Sequence, residues 1–175
     1  AVVFKISTNT IPAGNTNRGT LTPLQPQTRT RFAMSSLHPT DPNHLSPADV
    51  HEKVRHFNQS EFARLMEMEI LEARPGYALV RMDTDGKRNL RGFAHGGAIF
   101  ALADQAFGIA ANLGGVDEVA LSAQIFYLAP AKGILTAIAE CKGETAQYSI
   151  YTVRVFRDDM LVATFEGQGK KQHRG

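Results

Sequence analysis

Cysteine is nearly absent: Cys141 is the only one in 175 residues, which excludes an internal disulfide and any metal site built from several thiolates. A reducing compartment fits that count. An excess of one charge is missing too, since 19 Lys and Arg stand against 17 Asp and Glu. With no long basic run and no aromatics interleaved with basic residues, nucleic acid is not an expected partner. No apolar stretch reaches the ~18 residues of a membrane span, because His95, Asp104 and several glycines interrupt the best candidate, so a soluble protein without a membrane partner is expected. A Gly-x-Ser-x-Gly motif is also lacking, which removes the serine nucleophile of the hydrolase elbow. The first 40 residues hold no Asp or Glu, four basic residues and much Thr, Asn, Pro and Gln, without core periodicity. They read as a targeting peptide, or as a vector-derived or alternative-start extension in which Met34 is the initiator. An extension over 1–44 and one domain over 45–171 are expected.

What the sequence does have is one long apolar segment, from Gly92 through His95-Gly96-Gly97 to Asn112. After Gly97 its residues are almost all Ala, Ile, Leu and Phe around the whole circumference, which predicts a helix wrapped on all sides and about 25 Å long at ~1.5 Å per residue. Asp104 is the one carboxylate in it. Burying that charge costs several kcal/mol unless something pairs with it, hydrogen-bonds it or uses it. Gly97, Gly108 and Ala111 share roughly its face and carry no bulk, so a ligand or a neighbouring backbone has room to approach.

Around this helix the sequence predicts short elements. Ser46-Pro47-Ala48-Asp49 supplies a cap, a first-turn proline and a first-turn acid, so a helix is expected from there to about Phe57, with a further helical turn over 60–66. Strands are predicted over 68–73 and 77–83 about a Pro75-Gly76 turn, and Asp83-Thr84-Asp85-Gly86 reads as a solvated turn rather than a calcium loop. Gly114-Gly115 should end the central helix as a glycine cap. Four more strands are predicted over 118–128, 133–142, 146–156 and 160–167, with connections too short for crossover helices. The fold class is therefore α+β: one long helix wrapped by a curved antiparallel sheet of five to six strands.

The run Asn89, then five residues, then His95-Gly96-Gly97, then Asp104 eight residues after Gly96, resembles the hotdog-fold acyl-CoA thioesterases of the 4-hydroxybenzoyl-CoA thioesterase-like superfamily. It is most similar to the branch of the phenylacetic acid degradation thioesterase and the human thioesterase superfamily enzymes. The similarity spans roughly 57–170 and includes the Tyr127-Leu-Ala-Pro130-Ala-Lys-Gly133 corner. It implies hydrolysis of an acyl- or aryl-CoA to a carboxylic acid and coenzyme A, in a cytoplasmic homodimer or dimer-of-dimers homotetramer whose active sites lie between protomers. An organelle is the alternative location if residues 1–44 are a targeting peptide. No metal and no separate cofactor are implied, coenzyme A being part of the substrate.

Thioester hydrolysis needs a base or nucleophile, a donor for the developing oxyanion and a way to place water. Asp104 is the candidate for the first, as base or as nucleophile; a structural role held by local hydrogen bonds is the other reading. Gly96, at the positive, unpartnered end of the helix, is the candidate donor. By resemblance Asn89 orients water or substrate, and Ser122 faces the acid across the dimer; an ordinary loop Asn and strand Ser are the alternatives. His95 either shapes its loop or touches substrate. Gly97 and Gly108 are expected to border the substrate, and Arg88, Arg91, Lys132, Lys170 and Lys171 are either phosphate contacts or solvated charges. Two departures from the family pattern stand out: Ala129 replaces a basic residue before Pro130, and 67–69 lacks a small Gly. His51 and His56, five apart, make a poor metal pair, and Gly167-Gln168-Gly169 lacks the rest of a dinucleotide loop. An acyl-CoA-binding sensor or carrier without catalysis is the rival function. A hotdog dehydratase is third, since its His-plus-acid pair is not on this helix.

Overall fold

The computed structural model describes residues 45–172, and the expected extension over 1–44 lies outside them. Two helices come first, α1 (Pro47–Asn58) and α2 (Glu61–Leu65), followed by strands β1 (Met68–Arg74) and β2 (Tyr77–Asp83). The central helix α3 (Gly96–Asn112) precedes β3 (Asp117–Tyr127), β4 (Ile134–Glu144), β5 (Tyr148–Arg157) and β6 (Met160–Gln172).

The α1 cap forms as its residues predict. Asp49 N–H donates to Ser46 Oγ at 3.2 Å, while Ser46 N–H donates back to Asp49 Oδ2 at 3.0 Å. Ser60 caps α2 with its hydroxyl alone, accepting from Ala63 N–H.

All six strands are antiparallel neighbours in one sheet of order β1-β2-β4-β5-β6-β3. Alternate residues of the strands point at the helix: Ala78, Val80 and Met82 from β2, Leu135, Ala137 and Ala139 from β4, Val153 and Val155 from β5, and Phe165 from β6 are all fully buried. They meet Leu102, Ala106, Phe107, Ile109 and Leu113 of α3 and form one core.

The structure corrects the expected fold in four places. First, β3 does not pair with β4, its neighbour in sequence; it lies on the far edge of the sheet beside β6, with β5 and β6 between it and β4. The connection passes the head of α3, where Ala94 N–H donates to Ala131 O. Second, β6 runs to Gln172, since Gly169 to Gln172 pair with β3, and Gly169 and Lys170 also pair with β5. The Gly167 and Gly169 pair belongs to this strand. A Cβ on Gly167 would sit 2.9 to 3.0 Å from the rings of Phe165 and Phe107, and one on Gly169 would strike the carboxylate of Glu118. Third, α3 does not end in a left-handed glycine: its C-cap is Leu113 at φ −81°, and neither Gly114 nor Gly115 takes a positive φ. Lys53 of α1 makes that device unnecessary by donating to Asn112 O at 3.0 Å and Gly114 O at 3.1 Å, a cation where the helix end is negative.

Fourth, α3 is wrapped on most sides but not all. Gly97 and Asp104 are exposed and Gly108 is half-buried, so the stripe of small residues expected on one face is open within one chain over these positions, but it closes at Ala111, which is buried. β3 flanks this strip, and most of β3 is itself exposed, including Val119, Leu121 and Phe126.

Candidate active site

The site begins with a loop that builds the head of α3. Asn89 Oδ1 accepts from Arg91 N–H at 2.9 Å and Phe93 N–H at 3.2 Å, and Gly92 takes φ +75° to close the turn. The Asn89 carbonyl is thus committed to its own loop, and its NH₂ is the end left for a ligand. His95 follows as the N-cap, extended at φ −65° and ψ 136°, with Nδ1 accepting from Gly97 N–H at 3.0 Å. That bond puts the proton of the neutral ring on Nε2. It also explains Gly97, where a Cβ would stand 3.0 Å from His95 Nδ1.

The donors of the first turn can now be accounted for one by one. Gly97 N–H goes to the His95 ring, and Ala98 and Ile99 N–H go to His95 O at 2.9 and 3.1 Å. Gly96 N–H has no partner among the described residues. On the other side of Gly96 stands Tyr127, a residue not singled out from sequence. Its hydroxyl donates to Gly96 O at 3.0 Å, and its ring would be 3.3 Å from a Cβ on Gly96. The missing side chain therefore makes room for Tyr127. The sequence signal was present in the 127–133 corner, but it did not say which residue the corner delivers.

Asp104 lies two turns further along α3. It is exposed within one chain yet partly desolvated, and that partial burial pushes its carboxyl above the usual range. No hydrogen-bond partner for its side chain appears among the described residues, which sets it apart from a carboxylate held by local bonds. A cleft of about 90 Å³ between α3 and β3 is lined by Asp104, Phe107, Gly108, Asn112, Glu118 and Ala120, among others. Gly108 faces open space, with nothing within 4 Å of where its Cβ would be.

β3 runs opposite to α3 and is tied to it at both ends of the helix. At one end Asn112 Oδ1 accepts from Glu118 N–H at 2.8 Å, and Asn112 Nδ2 donates to Glu118 O at 3.1 Å. At the other end is the Tyr127 bond to Gly96. The Glu118 carboxylate accepts from the buried Ser149 hydroxyl, and burial, then the Glu118 charge, push the Tyr151 hydroxyl up.

Not every candidate residue comes together in one chain. Ser122 is not in the cleft: it follows a bulge after Ala120 and pairs with exposed Gln168, whereas Ala120 pairs with buried Gly169. Arg88 is taken by Asp85 at 2.8 Å and Lys171 by Glu144 at 2.6 Å. Of the basic residues near the head of α3, Arg91 and Lys132 remain, the latter 4.8 Å over the Phe93 ring.

The model of a family described as the thioesterase superfamily matches residues 91–164. The acyl-coenzyme A thioesterase PaaI of Escherichia coli K12 is 33% identical over 116 residues, covering 64% of this chain and 81% of the relative. The chain belongs to the thioesterase superfamily. It is a thioester hydrolase with the hotdog fold of that superfamily. Among solved structures, the E. coli PaaI protein of the phenylacetic acid degradation operon aligns with TM-score 0.67 at 28% identity, covering 73% of this chain and 97% of that one. A mutant of the phenylacetic acid degradation protein PaaI from Thermus thermophilus aligns with TM-score 0.62 at 31% identity, over 65% of this chain and 100% of that one. The matched span, 91–164, includes the helix head, Asp104 and the residues that line the cleft. No helix among the described residues is long and apolar enough to cross a membrane.

Proposed function

We propose that this thioesterase hydrolyses an acyl-CoA or aryl-CoA, with Asp104 as general base on water and Gly96 N–H as oxyanion donor. The observation that carries the reading is the first-turn account: one donor at the positive end of α3 is left without a partner among the described residues, on the helix that carries a raised, unpartnered carboxylate. The thioester carbonyl oxygen accepts from Gly96 N–H. Asp104 lies two turns, about 12 Å, from Gly96 along α3, so the Asp104 of a second protomer takes the proton from water as the water oxygen bonds to the carbonyl carbon. The tetrahedral intermediate then expels the coenzyme A thiolate, which takes up the proton. Arg91 and Lys132 supply cations for the phosphates, and the Asn89 NH₂ holds water or the carbonyl.

The exposed β3 edge supports a homodimer in which two sheets join, and exposed Val119, Leu121 and Phe126 would be covered there. Such a partner would bring its own Ser122 to the open side of the Asp104 cleft. A thiol-release assay across short, long and aryl CoA esters tests the reading. Hydrolysis that is lost in Asp104→Asn supports it. Binding of CoA esters without thiol release, or full turnover by the Asn variant, overturns it.

A further inference from the structure

Tyr127 is half-exposed, with 52% of its surface open, yet its hydroxyl is directed into the fold at a backbone carbonyl. That carbonyl belongs to Gly96, whose own N–H is the unpartnered donor at the head of α3. The tyrosine is fixed from the sheet side, since it pairs with Ala163 on β6 and the next residue, Leu128, donates to Val162 O at 2.9 Å. It is fixed from the helix side by shape: its ring lies 3.3 to 3.6 Å from where a Gly96 Cβ would stand. Among the described residues, no other strand side chain hydrogen-bonds the first turn of α3. The opposite end of α3 has a matching tie, from Asn112 to Glu118.

We infer that Tyr127 is a positioning residue for hydrolysis: its hydroxyl holds the first turn of α3 to the sheet so that Gly96 N–H keeps its aim at the substrate carbonyl. A hydrogen bond weakens steeply when the N–H tips away from the acceptor, so a turn that is free to rock loses part of its oxyanion stabilisation. Gly96 and Gly97 lie side by side in that turn and give the backbone no stiffness of its own. The tie supplies that stiffness. The inference rests on the proposed role of Gly96.

Tyr127→Phe removes the hydroxyl and keeps the ring. Loss of an oxyanion donor costs about 10²–10³ in kcat, and loss of its alignment alone should cost less, about tenfold. The expected result is a kcat down about tenfold with KM within about twofold. Two non-hydrolysable ligands separate this from a general loosening: a ketone analogue that keeps the carbonyl, and a CoA alkyl thioether that lacks it. Tyr127→Phe should weaken the ketone several-fold and leave the thioether unchanged. Equal weakening of both, or an unchanged kcat, overturns the inference while leaving the proposed function intact. A wild-type protein that hydrolyses no CoA ester and binds the two ligands alike overturns both.

Discussion

Gly167→Ala adds one methyl group to the middle of β6, where its effect can be worked out from neighbouring atoms. Gly167 does not take a positive φ, so the backbone accepts alanine without strain. The new Cβ would stand 2.9 Å from Phe165 Cε1, closer than real contacts come, and 3.0 Å from Phe107 Cδ1 and Cε1, so both rings must give. Neither ring can give way freely. Phe165 is fully buried and Phe107 is 2% exposed, and Phe107 packs at 5.2 Å on Tyr151 and 5.9 Å on Phe165. Overpacking of this kind costs about 1–3 kcal/mol, and the lower entropy of the unfolded alanine chain returns about 0.4–1. A net loss of about 1–2 kcal/mol lowers the melting temperature by roughly 2–8 °C for a chain of this size. Thermal denaturation at one fixed protein concentration measures it, so that subunit association does not enter. Adding Phe107→Leu should lose less than the sum of the two single changes, because the smaller side chain removes the Phe107 part of the clash and gives the Phe165 ring room to shift. A melting point at or above wild type in Gly167→Ala, or strict additivity in the pair, refutes the reasoning.

Asp104→Asn keeps shape and removes the charge, so a 10²–10⁴-fold fall in kcat is expected, read by thiol release. The same change should stabilise the fold at pH 7. A carboxyl whose pKa is raised on folding destabilises the native state above its unfolded pKa, and the penalty vanishes as pH falls below about 4. Because Asp104 is partly solvated, the gain should stay under about 1 kcal/mol, seen as a small rise in melting temperature at pH 7 that disappears near pH 4. The acid limb of kcat/KM in the wild-type enzyme should fall at a pH above the ordinary carboxylate range, since activity needs the ionised form. A limb at or below about pH 4 would separate the base from Asp104. Thr84 is fully buried and its Oγ1 accepts from Gly133 N–H at 2.8 Å. Thr84→Val should therefore cost about 1 kcal/mol in a urea melt while Thr84→Ser retains this bond.

Local chemistry carried most of the fold. The Ser46 to Asp49 box, the apolar run of α3 and the strand alternation each report on neighbours close in the chain, so their elements appear within a few residues of the expected bounds. Long-range partners account for the misses. Gly114-Gly115 looks like a helix stop, but Lys53, about sixty residues earlier, satisfies those carbonyls. Gly167 and Gly169 look like the end of a strand because glycine packs poorly in sheets. They are instead the places where β6 yields room to Phe107 and to the Glu118–Ser149 pair. The edge position of β3 depends on its pairing with β6, across the whole of β4 and β5, which no single strand encodes.

The candidate site was legible as spacing and illegible as hydrogen bonds. Spacing marked Asn89, His95, Gly96 and Asp104, but only the bond account separates them. The Asn89 carbonyl and the His95 ring nitrogen are occupied by their own loop, whereas Gly96 N–H and the Asp104 carboxylate are left over among the described residues. Tyr127 escaped notice because its partner is a backbone oxygen thirty-one residues away. Ser122 shows the remaining gap: nothing in the described part of one chain brings it to Asp104. The open side of the Asp104 cleft and the exposed edge of β3 adjoin each other, since Val119 and Ala120 border both. On the proposed dimer, the contact that covers those apolar side chains would also remove water from the carboxylate. Assembly would then add to the upward push that partial burial within one chain already gives the Asp104 carboxyl, and the sequence of one chain could supply only that first part.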